Sequence, residues 1–302
     1  MEPELIRFAK SYRRLLRMLT LWASVFKKHL QSRVIFSIGR WLSPFQLHSD
    51  RIRRSMGLAL PSINVIHYWH EWLNSHIRFI LDFLTYRSLD NDWVKRNVDV
   101  PDPTLLAALR NSGGLLLTYH SHHQNTLCCA LGLEGITISA IAAKPEDSPL
   151  FQYIGRWSTK VNSDSELHFN GGSYIFTNNL RKLLHATRDL LAKKEVIVCL
   201  CDFNQPRTGI HVSAKLLGRL ISPPTGAIDI ALKHHAPIYA AMFAPKNGKL
   251  TLELKRLEDS GELEAVVTGY FSFLESCIRT NPACWQGWEW FENLPLAEQN
   301  NP

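Results

Sequence analysis

The 302 residues contain no run of the roughly 18 uninterrupted apolar residues that a membrane span requires. A secretory leader is not expected, because Met1 is followed by Glu2 and Glu4 and no apolar segment ends in a small-residue cleavage site. Only six cysteines occur, too sparse for a disulfide framework. Cys128 and Cys129 are adjacent and one residue separates Cys199 from Cys201, spacings that suit no zinc knuckle. Free, buried thiols in a reducing cytosolic setting are the expectation. Helix-turn-helix, aromatic RNA-binding and zinc-finger patterns are missing, so nucleic acid is not an expected partner. Internal repeats and low-complexity tracts are missing too. With 45% hydrophobic and 20% charged residues, the composition excludes disorder, collagen and coiled coil as the whole answer.

Positive charge is abundant and unevenly placed. The net charge is +7, yet residues 1–60 hold twelve basic and three acidic side chains, so the rest of the chain is slightly negative. Between those charges lie apolar and aromatic residues such as Leu19, Trp22, Val25, Phe26, Phe36 and Trp41. Helix-forming segments that are basic, apolar and aromatic suit a membrane surface. Each Lys or Arg near an anionic leaflet contributes about 1 kcal/mol. The same pattern also suits a basic amphipathic helix packed on the protein's own core.

Residues 5–95 read as helical, interrupted at Pro44 and Pro61, and residues 63–86 carry apolar side chains at helical spacing. Beyond Pro101 and Pro103 the pattern changes. A short helix over 105–109, with Thr104 as its cap, precedes Gly113, Gly114 and a buried strand over 115–119. Further strands are predicted over 136–143, 196–201, 238–243 and 250–257, the last as an edge strand. Helices are predicted over 150–157, 180–192, 225–235 and 262–280. Such alternation argues for an α/β fold with a central, largely parallel sheet flanked by helices. The expected organisation is a helical, membrane-facing N-terminal segment over 1–100, an α/β domain over 101–295 and a tail over 296–302.

The strand over 115–119 is followed by His120, Ser121, His122, His123, Gln124 and Asn125. Ligands of open α/β sheets bind at the carboxyl ends of strands, so a histidine there is well placed for proton transfer. His120 could act as a general base, with Asn125, near the start of the next helix, turned back to orient its ring. The three histidines could instead ligate a metal, or be ordinary polar loop residues. Ser121 lacks the G-x-S-x-G setting of a nucleophile.

Four stretches extend the reading. Residues 51–61 (RIRRSMGLALP) are similar to a basic R-x-N-L-x-x-A-F-P motif. Residues 113–120 (GGLLLTYH) are similar to a strand delivering the histidine of an H-x4-D/E motif. Residues 202–209 (DFNQPRTG), with Leu217-Gly218, Pro224-Thr225-Gly226 and Ala236-Pro237-Ile238, match an acceptor-side block and a later proline block. Residues 282–291 (PACWQGWEWF) are similar to a closing P-E-Q-W-x-W-x-H segment. In this order and spacing the chain resembles the lysophospholipid acyltransferase superfamily, in its bacterial lipid A lauroyl/myristoyl acyltransferase branch. Departures are also visible. Asn125 stands where the family has Asp or Glu, Gly171 and Gly172 come without the usual Arg, and Glu292 and Asn293 replace terminal basic residues.

The resemblance implies transfer of a fatty acyl group from acyl carrier protein or coenzyme A to a hydroxyl or amine of a lipid-like acceptor, on the cytoplasmic side of the cell membrane. Attachment would be peripheral, through residues 1–60. His120 would be the base, with no metal or redox cofactor. Asn125 can accept the ring N–H but offers no charge. Asp202, after the strand over 196–201, is the first substitute carboxylate, ahead of Glu146 and Asp147. Arg207, and after it Lys144, are candidate anion contacts; Gly171, Gly172, Gly209 and Thr225 complete the expected substrate site. A relative that binds acyl chains, carrier protein or membrane without turnover is the rival expectation, and thioester hydrolysis a third.

Overall fold

The computed structural model describes residues 10, 11, 13–18, 21, 49–147, 151–176, 179–204, 212–246, 248–257 and 261–297. In chain order the helices are α1 (Ser49–Ala59), α2 (Val65–Thr85), α3 (Asn91–Asn97), α4 (Pro103–Ser112), α5 (Gln124–Leu133), α6 (Phe151–Glu166), α7 (Leu180–Ala192), α8 (Gly226–Lys233) and α9 (Leu263–Thr280). The strands are β1 (Val98–Asp99), β2 (Gly114–Thr118), β3 (Ile138–Ala142), β4 (Tyr174–Phe176), β5 (Val196–Leu200), β6 (Ala214–Leu216), β7 (Arg219–Ile221), β8 (Ile238–Lys246) and β9 (Lys249–Arg256).

Seven strands form one sheet in the order β1-β9-β8-β2-β5-β3-β4, and β6 and β7 form a separate antiparallel hairpin. Only the β8–β9 pairing within the sheet is antiparallel. The central strands β2 and β5 are almost unbroken runs of Leu, Val and Ile because helices cover both faces. On one side, α2, α8 and α9 pack against Leu115, Leu117, Ile197 and Cys199; on the other, α4, α5 and α6 pack against Leu116, Val196 and Val198. The fold is therefore α/β, with a mostly parallel central sheet between helical layers.

Local chemistry accounts for several boundaries. Asp102 caps α4 by accepting from the Leu105 N–H, with Pro103 in the first turn, so the cap falls two residues before the predicted Thr104. β9 is not an edge strand. The two-residue β1 pairs alongside it through Val98 and Asp99, and an element so short leaves no periodicity to read. β4, α3 and the β6–β7 hairpin are likewise three to seven residues long and carry no predictive pattern.

Ile52 and Met56 of α1 and Trp69, Trp72, Leu73 and Ile77 of α2 belong to the same core as β2 and β5. Among the described residues, no helix is long and apolar enough to cross a membrane. Most of the basic segment 1–60 lies outside the described residues.

Candidate active site

Strands β2 and β5 are parallel neighbours with Thr118 opposite Leu200, and the ladder runs one step further through a bond from the Cys201 N–H to the Thr118 carbonyl. Two residues beyond each aligned strand end come His120 and Asp202. Equal overrun on neighbouring parallel strands brings the two side chains to one place, at the carboxyl edge of the sheet.

The contact is close. His120 Nδ1 lies 2.7 Å from Asp202 Oδ1, and the same oxygen accepts from the His120 backbone N–H at 3.0 Å. Asp202 Oδ2 accepts from Trp285 Nε1 at 2.7 Å. The aspartate is fully buried, whereas the His120 side chain is 29% exposed. The His120 backbone N–H and the Trp285 indole N–H donate to its two oxygens, one each, so Asp202 presents an acceptor to the ring. Those bonds offset the desolvation of its charge. Nδ1 then carries the ring proton, leaving Nε2 with its lone pair; no described residue is hydrogen-bonded to Nε2.

Burial pulls the His120 pKa down, but the charge and hydrogen bond of Asp202, with a contribution from Glu289, outweigh it and leave the ring above the ordinary imidazole value. Glu289 is itself pushed up to about 8 by burial, against the pull of His120 and Arg51. It is thus largely neutral near pH 7, and Asp202 carries most of the effect.

The C-terminal segment fastens this pair. Gln286 N–H donates to the His120 carbonyl at 2.8 Å, and Trp285 forms an antiparallel bridge with Ser121. Trp72 Nε1, from α2, donates to the Trp285 carbonyl at 2.8 Å. A Cβ on Gly287 would sit 2.1 Å from Trp285 ring carbons, so only glycine lets the indole fold back over the chain toward Asp202. Phe203 and Trp290 stand edge-on to the imidazole, with centroids at 5.6 and 5.4 Å.

His120, Phe203 and Trp290 line a cavity of about 1160 Å³. That is at or above the upper end of ordinary small-ligand sites, roughly 300–1,000 Å³. Its inner wall is apolar, with Ile141, Leu184, Leu200, Pro223, Ile230 and Leu294. Such a chamber is large enough to hold an extended apolar ligand beside the His120 ring.

The expected site residues fare differently. His120 and Asp202 come together, and Thr225 lines the same cavity as His120, at the start of α8. The orienting role expected of Asn125 is corrected: it sits half-buried in the first turn of α5 with no hydrogen bond to His120, and Asp202 occupies the position at Nδ1. Lys144 does not line the cavity; its carbonyl closes the turn to Asp147. Glu146 and Asp147 are exposed in that turn. Gly171 and Gly172 form the bend before β4 and do not line the cavity. Gly171 has φ +88°, and a Cβ at Gly172 would meet the Ile138 carbonyl at 1.9 Å. Arg207 and Gly209 lie outside the described residues.

His122 and His123 are buried away from the cavity. His122 packs against Trp72, His76 and Phe79, and burial, with His76 and His123 nearby, keeps its pKa well below the ordinary value. His123 is held down to about 4 by burial and by Arg78. Among the described residues, no group of three or more His, Cys, Asp or Glu side chains could hold a metal ion.

In the sequence Trp285 stands out only within the closing segment 282–291. In the structure it is fully buried, and its indole N–H secures the carboxylate. Phe203, and the basic residues Arg181, Arg188 and Lys233 that also line the cavity, went unread. Helix periodicity could have placed Arg181 and Arg188 on one face, but not that face over the cavity.

Compared with known families and with characterised proteins, the chain matches no family model and no curated protein.

Proposed function

We propose that this protein is an acyltransferase that moves a fatty acyl group from an acyl thioester, carried by acyl carrier protein or coenzyme A, to a hydroxyl or amine of a lipid-like acceptor. The observation that carries the reading is the His120–Asp202 pair, whose second ring nitrogen has no hydrogen-bond partner among the described residues and which borders a large, mainly apolar cavity. Nε2 of His120 takes the proton of the acceptor as its oxygen or nitrogen attacks the thioester carbonyl. Asp202 stabilises the imidazolium so formed. The ring then returns the proton to the departing thiolate. One C–S bond breaks, one ester or amide bond forms, and a free thiol leaves.

The resemblance to the lysophospholipid acyltransferase superfamily supports the same chemistry. Its weak point was the amide at Asn125, which favoured a protein that binds without turnover. With Asp202 supplying the charge from the neighbouring strand, that argument loses its force.

Peripheral attachment to the cytoplasmic face of a membrane belongs to the same proposal. It rests on the basic first 60 residues and on Leu58 and Ile66, which are 63% and 50% exposed at either side of the α1–α2 turn. Both fit an interfacial contact near the arginines of α1.

The test is incubation of the purified chain with acyl-CoA and acyl carrier protein thioesters and a panel of lipid acceptors, read by mass spectrometry. Acyl-acceptor product is expected. Free fatty acid without acceptor product would replace transfer with hydrolysis, and donor binding without either product would leave a binding protein.

A further inference from the structure

The cavity has an inner and an outer part of different character. Inside it is apolar, while its exposed lining residues include three cations, Arg181 and Arg188 on α7 and Lys233 at the end of α8, with His185 and His234 beside them and the neutral Ala143, Asn204, Gly226 and Asn293 completing the rim. Residues 181, 185 and 188 are spaced by four and three, so they lie on one face of α7, and that face borders the cavity. Among the described residues Asp229 is the acidic residue that lines the cavity, and Asp189 stands next to Arg188, against three cations.

Those cations are available. Lys233 pairs with Asp229 at 2.6 Å and Arg188 with its neighbour Asp189 at 3.0 Å. Both are surface pairs within a single helix, worth little in water and readily exchanged for a better anion. Arg181 is exposed and has no ion pair or hydrogen bond from its side chain among the described residues. A guanidinium fork at the mouth of an apolar chamber suits a ligand with a long chain at one end and a phosphate at the other.

We infer that the mouth between α7 and α8 is a phosphate site, with Arg181 its principal contact and Arg188 and Lys233 its supporting cations, which holds the phosphate on the arm of the thioester donor. The assignment rests on the acyltransferase reading, because that reaction requires a donor whose thioester reaches His120. The pantetheine arms of coenzyme A and of a carrier protein share this design: an acyl thioester at one end and a phosphate at the other. The site thus reads what the two donors have in common. It also replaces the anion contact expected at Lys144, which lies off the cavity wall.

The experiment measures binding without chemistry, using unreactive dodecyl thioethers of coenzyme A, of 4′-phosphopantetheine and of pantetheine. Both phosphate-bearing probes are expected to bind the wild-type chain at least about tenfold more tightly than the pantetheine probe, as charge-assisted contacts allow. That preference should fall with added salt. In the triple variant Arg181→Gln, Arg188→Gln, Lys233→Gln all three probes should bind alike. The substituted side chains are exposed, and an unchanged melting curve verifies the fold.

Equal affinity of the wild type for all three probes, absence of binding by any of them, or a phosphate preference that survives the triple substitution would overturn the assignment. Dodecyl phosphate is the fourth probe. If the substitutions weaken its binding while the thioethers never discriminate, the site takes a lipid phosphate and the donor assignment is wrong. Failure of the acyltransferase reading is separate: it would show as no transfer in the mass-spectrometric assay while the affinity pattern stands.

Discussion

Replacing Asp202 with Asn isolates the carboxylate's contribution with almost no change of shape. In the native site Oδ1 faces two N–H donors of His120 and Oδ2 faces the indole N–H of Trp285. An amide cannot satisfy both sides. With its oxygen toward His120, its NH2 group meets the Trp285 N–H; with its oxygen toward Trp285, its NH2 meets the His120 backbone N–H and drives the ring into the other tautomer. Either way a buried donor is left unsatisfied, costing about 1–3 kcal/mol, and the imidazolium loses its counter-charge. Where a His–Asp pair performs the same service in a serine protease, this change lowers kcat by about 10⁴. A loss of about 10³–10⁴ in acyl transfer is expected here. The pH profile supplies a second, independent readout. The base must be neutral, so activity falls as pH drops through its pKa, and in the wild type that fall lies above the ordinary imidazole value. Without Asp202, burial becomes the dominant influence, and the acid limb of kcat/KM for the residual activity should move below it. A loss under tenfold with an unmoved acid limb would refute the assignment of Asp202. Asn125→Ala, measured alongside, should change kcat by no more than a few-fold, because its side chain makes no bond to the ring.

Three further outcomes follow from the same geometry. Gly287→Ala should lower stability by about 1–3 kcal/mol in urea titration, because its Cβ would collide with the Trp285 ring; activity should fall with it as the indole is displaced from Asp202. Trp285→Phe keeps an aromatic ring but removes the N–H, so it should reduce kcat while leaving KM for the donor nearly unchanged. His76, stacked on Trp72, is held down to about 3 by burial. A ring kept neutral in the folded state loses stability as pH falls below the unfolded value of about 6.5, by about 2 kcal/mol at pH 5. His76→Phe should therefore flatten the stability difference between pH 7 and pH 5 by that amount, and an unchanged slope would contradict the burial argument.

Much of the fold was readable because strand and helix periods differ so plainly here. The apolar run at 196–200 and the amphipathic helix at 180–192 fall where the pattern put them. Elements defined by pairing rather than by pattern, such as β1 and β4, were not readable. In the site, His120 could be picked out by its position after a buried strand. Asp202 could be ranked only as a substitute, since the register that sets Thr118 opposite Leu200 is a property of the sheet and not of either segment. Motif spacing instead directed attention to Asn125, five residues further along the chain in the first turn of α5, whereas the partner comes from 82 residues away. Trp285 shows the same limit: it belongs to the closing motif 282–291, and nothing local revealed that its N–H would be aimed at a carboxylate.

The central claim is that one imidazole performs the proton transfer. Its most direct test is acyl transfer by the His120→Ala chain, with circular dichroism and melting temperature confirming an intact fold. The expected result is loss of acyl-acceptor product to background while unreactive donor analogues still bind. Turnover close to the wild-type rate would contradict it.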